Sequence, residues 1–369
     1  MNTKLRSLIL AIFIAISISF TLTPPGVAVG VAPPPATHAL LATLPTSDVV
    51  MFVDFQRIMT EIVPRLLAKD PATLAKLTAA VNEVKTKSGV NIMAIDSIVA
   101  GMKFDGNVTH NMKKENLGIV IMAHGDFDAN ALIAALRRET KGKVQEETYA
   151  GIVIYSEPQT ASSKKKSERE IPALSVLDAN TVAVGDLPQV RAAVDAFAGK
   201  GRVDSSLVEL AERDSSSIIG LSGNVPQSLI DDLKETAPAK DEMAQTINKA
   251  IAGLKQLFVS IGATPSDFNM ITGARFSSPE QAASLGDMLL GLRQQAISEV
   301  GDQQTRDLIN SVQISAQGDE VQIKANIKNE VVQDFAASMV KDEKPVAKPT
   351  PVKTKQTTKH RRSSRRRRH

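Results

Sequence analysis

Short apolar runs come in neighbouring pairs along this chain, each pair split by turn residues. Residues 95–104 precede 117–123, residues 144–149 precede 152–155, and 173–177 precede 181–184 across Asp178-Ala179-Asn180. Strands joined by such short links pair antiparallel, because a parallel pair needs a crossover of a dozen or more residues. Helical stretches separate the pairs rather than alternating with single strands. The pattern therefore predicts an α+β fold with antiparallel sheet and helices packed on one face.

That order runs through the chain twice. In residues 46–200 a strand at 48–55 leads into helices, two strands, a helix over 127–138, two hairpins and a closing helix through Val190, Val194 and Phe197. In residues 201–341 a strand at 216–221 again leads into helices, then strands at 257–262 and 268–276, a helix, and a hairpin around Gln317-Gly318-Asp319. Val50 pairs with Ile218 at an offset of 168, Ile119 with Met270 at 151, and Val182 with Val321 at 139. The shrinking offset places extra loops in the first copy, at 108–115 and 161–170. Two similar α+β units are expected.

Helix boundaries carry their own chemistry. Asp70 before Pro71 is a capping aspartate ahead of proline at the first helical position, and Leu74, Leu77, Val81 and Val84 supply a buried face at helical spacing up to Gly89. Pro64 bends the preceding helix. Ser278-Pro279-Glu280-Gln281 has the capping-box form. Asp186 is expected to cap the closing helix of the first unit and Asn329 that of the second.

With no cysteine in 369 residues, disulfides, thiol nucleophiles, cysteine metal sites and lipoprotein acylation are excluded together. The fold rests on burial, for which a body of this size is ample. There is no Gly-rich strand-to-helix turn of a doubly wound nucleotide fold. No tryptophan and two tyrosines leave few platforms for sugar stacking.

The two ends differ from the body. Lys4 and Arg6 precede an uncharged run at 8–22 that Pro24 and Pro25 terminate. Fifteen helical residues span roughly 22 Å, short of a hydrocarbon core of about 30 Å. This favours a secretory signal peptide over 1–30, cleaved after small residues at Ala28 and Gly30 or at Thr37 and Ala39, with no permanent membrane span afterwards. An uncleaved anchor and a structural helix are the alternatives. Residues 31–45 read as a Pro-rich linker.

At the other end, residues 341–369 hold six Lys and six Arg against Asp342 and Glu343, a balance of +10. The whole chain is +4, so residues 1–340 carry −6, or −8 once Lys4 and Arg6 leave with the signal. Pro345, Pro349 and Pro351 favour an extended path, and no apolar residue follows Val352. Residues 342–369 are therefore expected to form a disordered Lys/Arg/Pro tail. Lys353, Lys355, Lys359, Arg361, Arg362, Arg365, Arg366, Arg367 and Arg368 are its candidate polyanion contacts. No aromatic interleaves them, so base stacking on single strands is not indicated.

The stretch Leu44-Pro45-Thr46-Ser47-Asp48-Val49-Val50-Met51-Phe52-Val53-Asp54, continued by Pro64-Arg65-Leu66-Leu67-Ala68 and by Ser88-Gly89-Val90-Asn91 ahead of Ile95-Asp96-Ser97-Ile98, resembles the opening of uncharacterised exported bacterial proteins. The resemblance covers 44–185 and implies no activity.

Candidate chemistry in the body is sparse. His124, Asp126 and Asp128 put an imidazole and two carboxylates within five residues, a weak candidate metal site. They also sit where a strand ends and a helix begins, the natural place for capping aspartates. Ser162 and Ser163 precede Lys165 and Lys166 at Ser-x-x-Lys spacing, without the helix start that such a nucleophile needs. His38, His110 and the sequon at Asn107 read as solvated loop or turn residues. No cofactor is indicated. The sequence points to an exported, non-enzymatic periplasmic or envelope protein, its tail meeting an anionic polymer or lipid headgroups. An exported hydrolase with a dispersed site is the alternative, and nucleic-acid binding through the tail a further one that export argues against.

Overall fold

A computed structural model describes residues 39–106, 117–158, 171–236, 248, 251–301 and 303–333. The expected signal peptide, the loops at 108–115 and 161–170, His38, His110, Asn107 and the basic tail lie outside these residues. Strand β1 (Val49–Asp54) shows why its sequence is apolar without alternation. Val50 and Phe52 join one core with Val99, Val120 and Met122, while Met51 and Val53 join another with Ile98 and Ile121. A strand buried on both faces has no polar side to show.

Asp54 ends β1 and caps α1 (Phe55–Arg57), accepting from Arg57 N at 3.0 Å. The helix runs on through a π turn (Ile58–Ile62) into α2 (Val63–Leu66). The wide turn falls just before Pro64, whose ring and missing N–H interrupt the ordinary ladder. Asp70 caps α3 (Pro71–Ser88) through Thr73 N, and Gly89 closes it at φ +80°, a conformation that favours glycine. The expected buried face of α3 is covered only in part. Leu74, Leu77, Val81 and Val84 are half-buried, because the helix leans on the short turn at Ile92–Ala94 and on α4 rather than on the sheet.

The remaining elements of the first unit are β2 (Ile95–Phe104), β3 (Leu117–Gly125), α4 (Ala129–Glu139), β4 (Gln145–Tyr149), β5 (Ile152–Ser156), β6 (Pro172–Val176), β7 (Thr181–Asp186) and α5 (Leu187–Phe197), and α6 (Ser205–Ala211) opens the second. The second unit has β8 (Ser217–Asn224), α7 (Gln227–Thr236), β9 (Leu254–Ala263), β10 (Asp267–Phe276), α8 (Pro279–Glu299), α9 (Gln303–Ser311), β11 (Gln313–Gln317) and β12 (Glu320–Lys328).

The twelve strands among the described residues form one antiparallel sheet, in the order β11-β12-β10-β9-β8-β1-β2-β3-β7-β6-β5-β4. Outward from the β1–β8 junction the two halves read alike. The order β1-β2-β3-β7-β6 on one side matches β8-β9-β10-β12-β11 on the other, and the hairpin β4-β5 is extra in the first. The units are joined edge to edge through β1 and β8, with Met51 opposite Leu221 and Phe52 opposite Gly220.

The fold is α+β, and one face of the sheet carries the main helix layer. There α1 and α2 cover the centre, α4 packs Leu132 against Leu174, Val182 and Val184, and α8 packs Ala282 against Ala274, Phe276 and Val321. A second, smaller layer covers the centre of the opposite face, where α5 and α6 contribute Val190, Val194 and Leu207. Leu40, Leu41 and Leu44 enter the same core, fully or almost fully buried, and Pro45 bridges Arg202. The segment read as a linker over 31–45 thus ends inside the first unit, because its leucines have apolar partners to meet.

Asp186 holds the N-cap position of α5, but its side chain does not cap. Its Oδ2 accepts instead from Ile119 N at 2.9 Å, tying the start of α5 to β3. Asn329 likewise turns its amide to Pro265 O, at 2.6 Å.

Candidate functional site

Polar side chains line up at one end of the central strands. Asp54 on β1 lies opposite Ser97 on β2, Ser97 opposite His124 on β3, and His124 opposite Thr181 on β7. The row follows from the pleat, since residues two apart share a face. Asp54, Ser97 and Thr181 continue the inward series of Phe52, Val99 and Ala183, so they are carried into the interior. Their exposures are 3%, 0% and 2%.

Burial dominates the electrostatics of Asp54 and pushes its carboxyl above the usual aspartate range. The bond from Arg57 N and the Arg57 charge oppose that rise without cancelling it. The Arg57 guanidinium donates to Ser216 O at 3.1 Å and to Ala263 O at 2.5 Å, so it stitches α1 to the second unit. His124 Nδ1 stands 3.6 Å from Asp96 Oδ2. Ser97 Oγ has no hydrogen-bond partner among the described residues.

Serine, histidine and aspartate side by side invite comparison with an acyl-transfer triad. In that machinery the serine must meet substrate and the histidine must contact it. Here Ser97 is sealed from solvent and bonds to neither neighbour, so the row offers no accessible nucleophile.

The residues singled out in the sequence part company. Asp128 caps α4, its Oδ1 accepting from Asn130 N at 2.8 Å and Ala131 N at 3.1 Å. Asp126 is exposed and its backbone N–H bonds Ala94 O at 2.8 Å. His124 looks toward Asp96 instead. Among the described residues no three His, Asp or Glu side chains gather as metal ligands. The tail cations from Lys353 to Arg368 lie outside the described residues.

Asp54, Asp96 and Ser97 escape motif reading because only the β1–β2–β3 register brings them to His124. One signal was present: Asp54 stands two residues after the inward Phe52.

A second charged cluster tethers the wing of the second unit. Glu320, 7% exposed, pairs with Arg213 and, at 3.3 Å, with Arg275, while Glu209 reaches the same two arginines at 2.9 and 3.4 Å. Arg213 also lies 5.7 Å from the Phe258 ring centre. These contacts pin the end of α6 to β9, β10 and β12.

Among the described residues no helix is long and apolar enough to cross a membrane. No family model and no curated protein matches the chain. Three crystal forms of the Treponema protein TP0453 are similar at 10% identity. Form III has a TM-score of 0.41, covering 81% of this chain and 97% of that one. Form I has 0.38 with 84% and 98%, and form IV has 0.40 with 80% and 96%.

Proposed function

We propose that this chain is an exported, non-enzymatic binding or scaffold protein of the bacterial envelope, held by its basic tail to an anionic polymer or to lipid headgroups. The observation that carries this reading is the segregation of charge: +10 within residues 341–369 against −8 on the body that remains after export. Clustered cations attract polyanions by a sequence-independent, salt-screened interaction. A mildly acidic body is repelled by the same surface, so it stands off while the tail engages. The leader-like run at 8–22 supports delivery to that compartment.

A hydrolase built on the row of Asp54, Ser97 and His124 would need Ser97 to meet substrate. The burial of Ser97 speaks against that version.

The test is cell fractionation with N-terminal sequencing of the recovered chain, repeated after deletion of residues 345–369. A processed chain that binds the envelope fraction, leaves it in high salt and loses it on deletion supports the proposal. Unprocessed chain free in the cytosol overturns it, as does envelope retention that the deletion leaves unchanged.

A further inference from the structure

The two edges of the sheet differ in a way that points to a partner. Strand β4 at one edge carries Glu146 and Glu147, held by Arg137 at 2.7 Å and by a two-pronged Arg191 contact at 2.7 and 2.9 Å. Charged side chains on an edge discourage further strand addition. Strand β11 at the other edge reads Gln313-Ile314-Ser315-Ala316-Gln317, without charge, proline or glycine. It pairs with β12 over five consecutive positions without a bulge. No described strand pairs with its outer side.

The β11 sequence is self-complementary in pattern. Gln313 mirrors Gln317 and Ile314 mirrors Ala316 about Ser315. Antiparallel pairing of two copies about a two-fold axis at Ser315 would oppose serine with serine, Ile314 with the partner's Ala316, and glutamine with glutamine. Each face then meets its own kind, which is what fixes register in a sheet, and no like charges oppose one another.

Helix α8 adds an apolar flank beside this edge. It runs along β11, with Gly286 so close that a Cβ there would lie 3.0 Å from Ala316 Cβ, and with Arg293 Nη1 donating to Val312 O at 2.9 Å. Leu285 and Leu289 lean inward, onto the core of Ala274, Phe276 and Val321. Leu290 is about 100° further round the helix than Leu289, which puts it on the other side of the Gly286–Arg293 line. It therefore lies on the α8 face beyond the residues that touch β11, and it is 43% exposed.

We infer that β11 and Leu290 form a homodimer interface, in which the β11 strands of two copies pair antiparallel about Ser315 and their α8 helices meet through Leu290. The same patch serves on both copies, as a two-fold interface requires. The sheet becomes continuous across the dimer.

Sedimentation of the purified full chain over a concentration series tests this. The chain is expected to dimerise. Ser315→Glu and Ser315→Lys, at an exposed position, are each expected to weaken self-association about tenfold or more, since like charges directly opposite destabilise a strand pair. Mixing the two variants should restore association, which a merely misfolded variant could not do. Leu290→Glu is the second disruption, with thermal melts confirming that each variant is folded. A chain that stays monomeric throughout, or a dimer that all three substitutions leave intact, overturns the inference.

Discussion

Phe52 on β1 lies opposite Gly220 on β8, and its ring fills the space that a side chain at 220 would need. A Cβ there would overlap both the Phe52 ring and Ala211 O. This contact sits where the two units join, so the missing side chain is what lets the aromatic ring close the junction. Gly220→Ala is expected to cost about 1–3 kcal/mol by overpacking. Gly291, in the middle of α8 with open space around it, should behave in the opposite way. Gly291→Ala is expected to gain roughly 0.5–1 kcal/mol through helix propensity. Urea denaturation of the two variants beside the parent reads both signs.

Burial raises the carboxyl of Asp54 above its ordinary 3.8, and this fixes the sign of one pH effect. Between the ordinary and the raised value the folded chain holds a proton that the unfolded chain has released. Stability from this group is therefore greatest in acid and falls as pH rises through that window. Asp54→Asn keeps an oxygen to accept from Arg57 N but cannot ionise. The variant is expected to gain on the parent as pH rises from acid toward neutral. Equilibrium unfolding across that range checks it, and a constant difference would show that the buried carboxyl does not titrate with folding.

Much of the fold is legible because its signals are local. Asp70, Asp128 and Ser278 cap the helices that their spacing announces, and the hairpin turns at Gly318-Asp319 and Asp178-Ala179 fall between the strands they join. The junction of β1 with β8 is of another kind. Its partners are 170 residues apart at Met51 and Leu221, and a strand buried on both sides gives no alternation from which to read a neighbour. Asp186 shows the same limit on a smaller scale: its position is that of a cap, yet a backbone N–H on β3 claims its carboxylate. Helix α9 lacks the apolar stripe that would announce it. The polar row of Asp54, Ser97 and His124 depends on two strand registers at once, so no spacing along the chain could reveal it.

Asp128 provides a test of capping against metal binding. Its Oδ1 accepts both bonds from backbone N–H groups in the first turn of α4, so Asp128→Ala should cost about 1 kcal/mol and Asp128→Asn much less. Under the capping reading, added zinc or magnesium ions leave the melting temperature of the parent and both variants unchanged. A metal-dependent rise lost in Asp128→Asn would instead make the carboxylate a ligand.

Glu320 is the carboxylate on which the wing of the second unit depends. It stands between Arg213 and Arg275, and Gln322 Nε2 donates to its other oxygen at 2.6 Å. Removing one member of an enclosed ionic group strands its partners, and that penalty exceeds the net value of the pairing. The arginine side chains are 27% and 20% exposed, so water relieves part of the cost. Glu320→Ala is expected to lose about 2–3 kcal/mol, near the low end for such a group. Glu320→Gln should lose less, because it still accepts from the guanidinium groups. If the penalty is that of stranded cations, Arg275→Met in the Glu320→Ala background should recover part of the loss. A double-mutant cycle measured by denaturant unfolding reads that coupling directly. Additive losses would mean that Glu320 and Arg275 act independently.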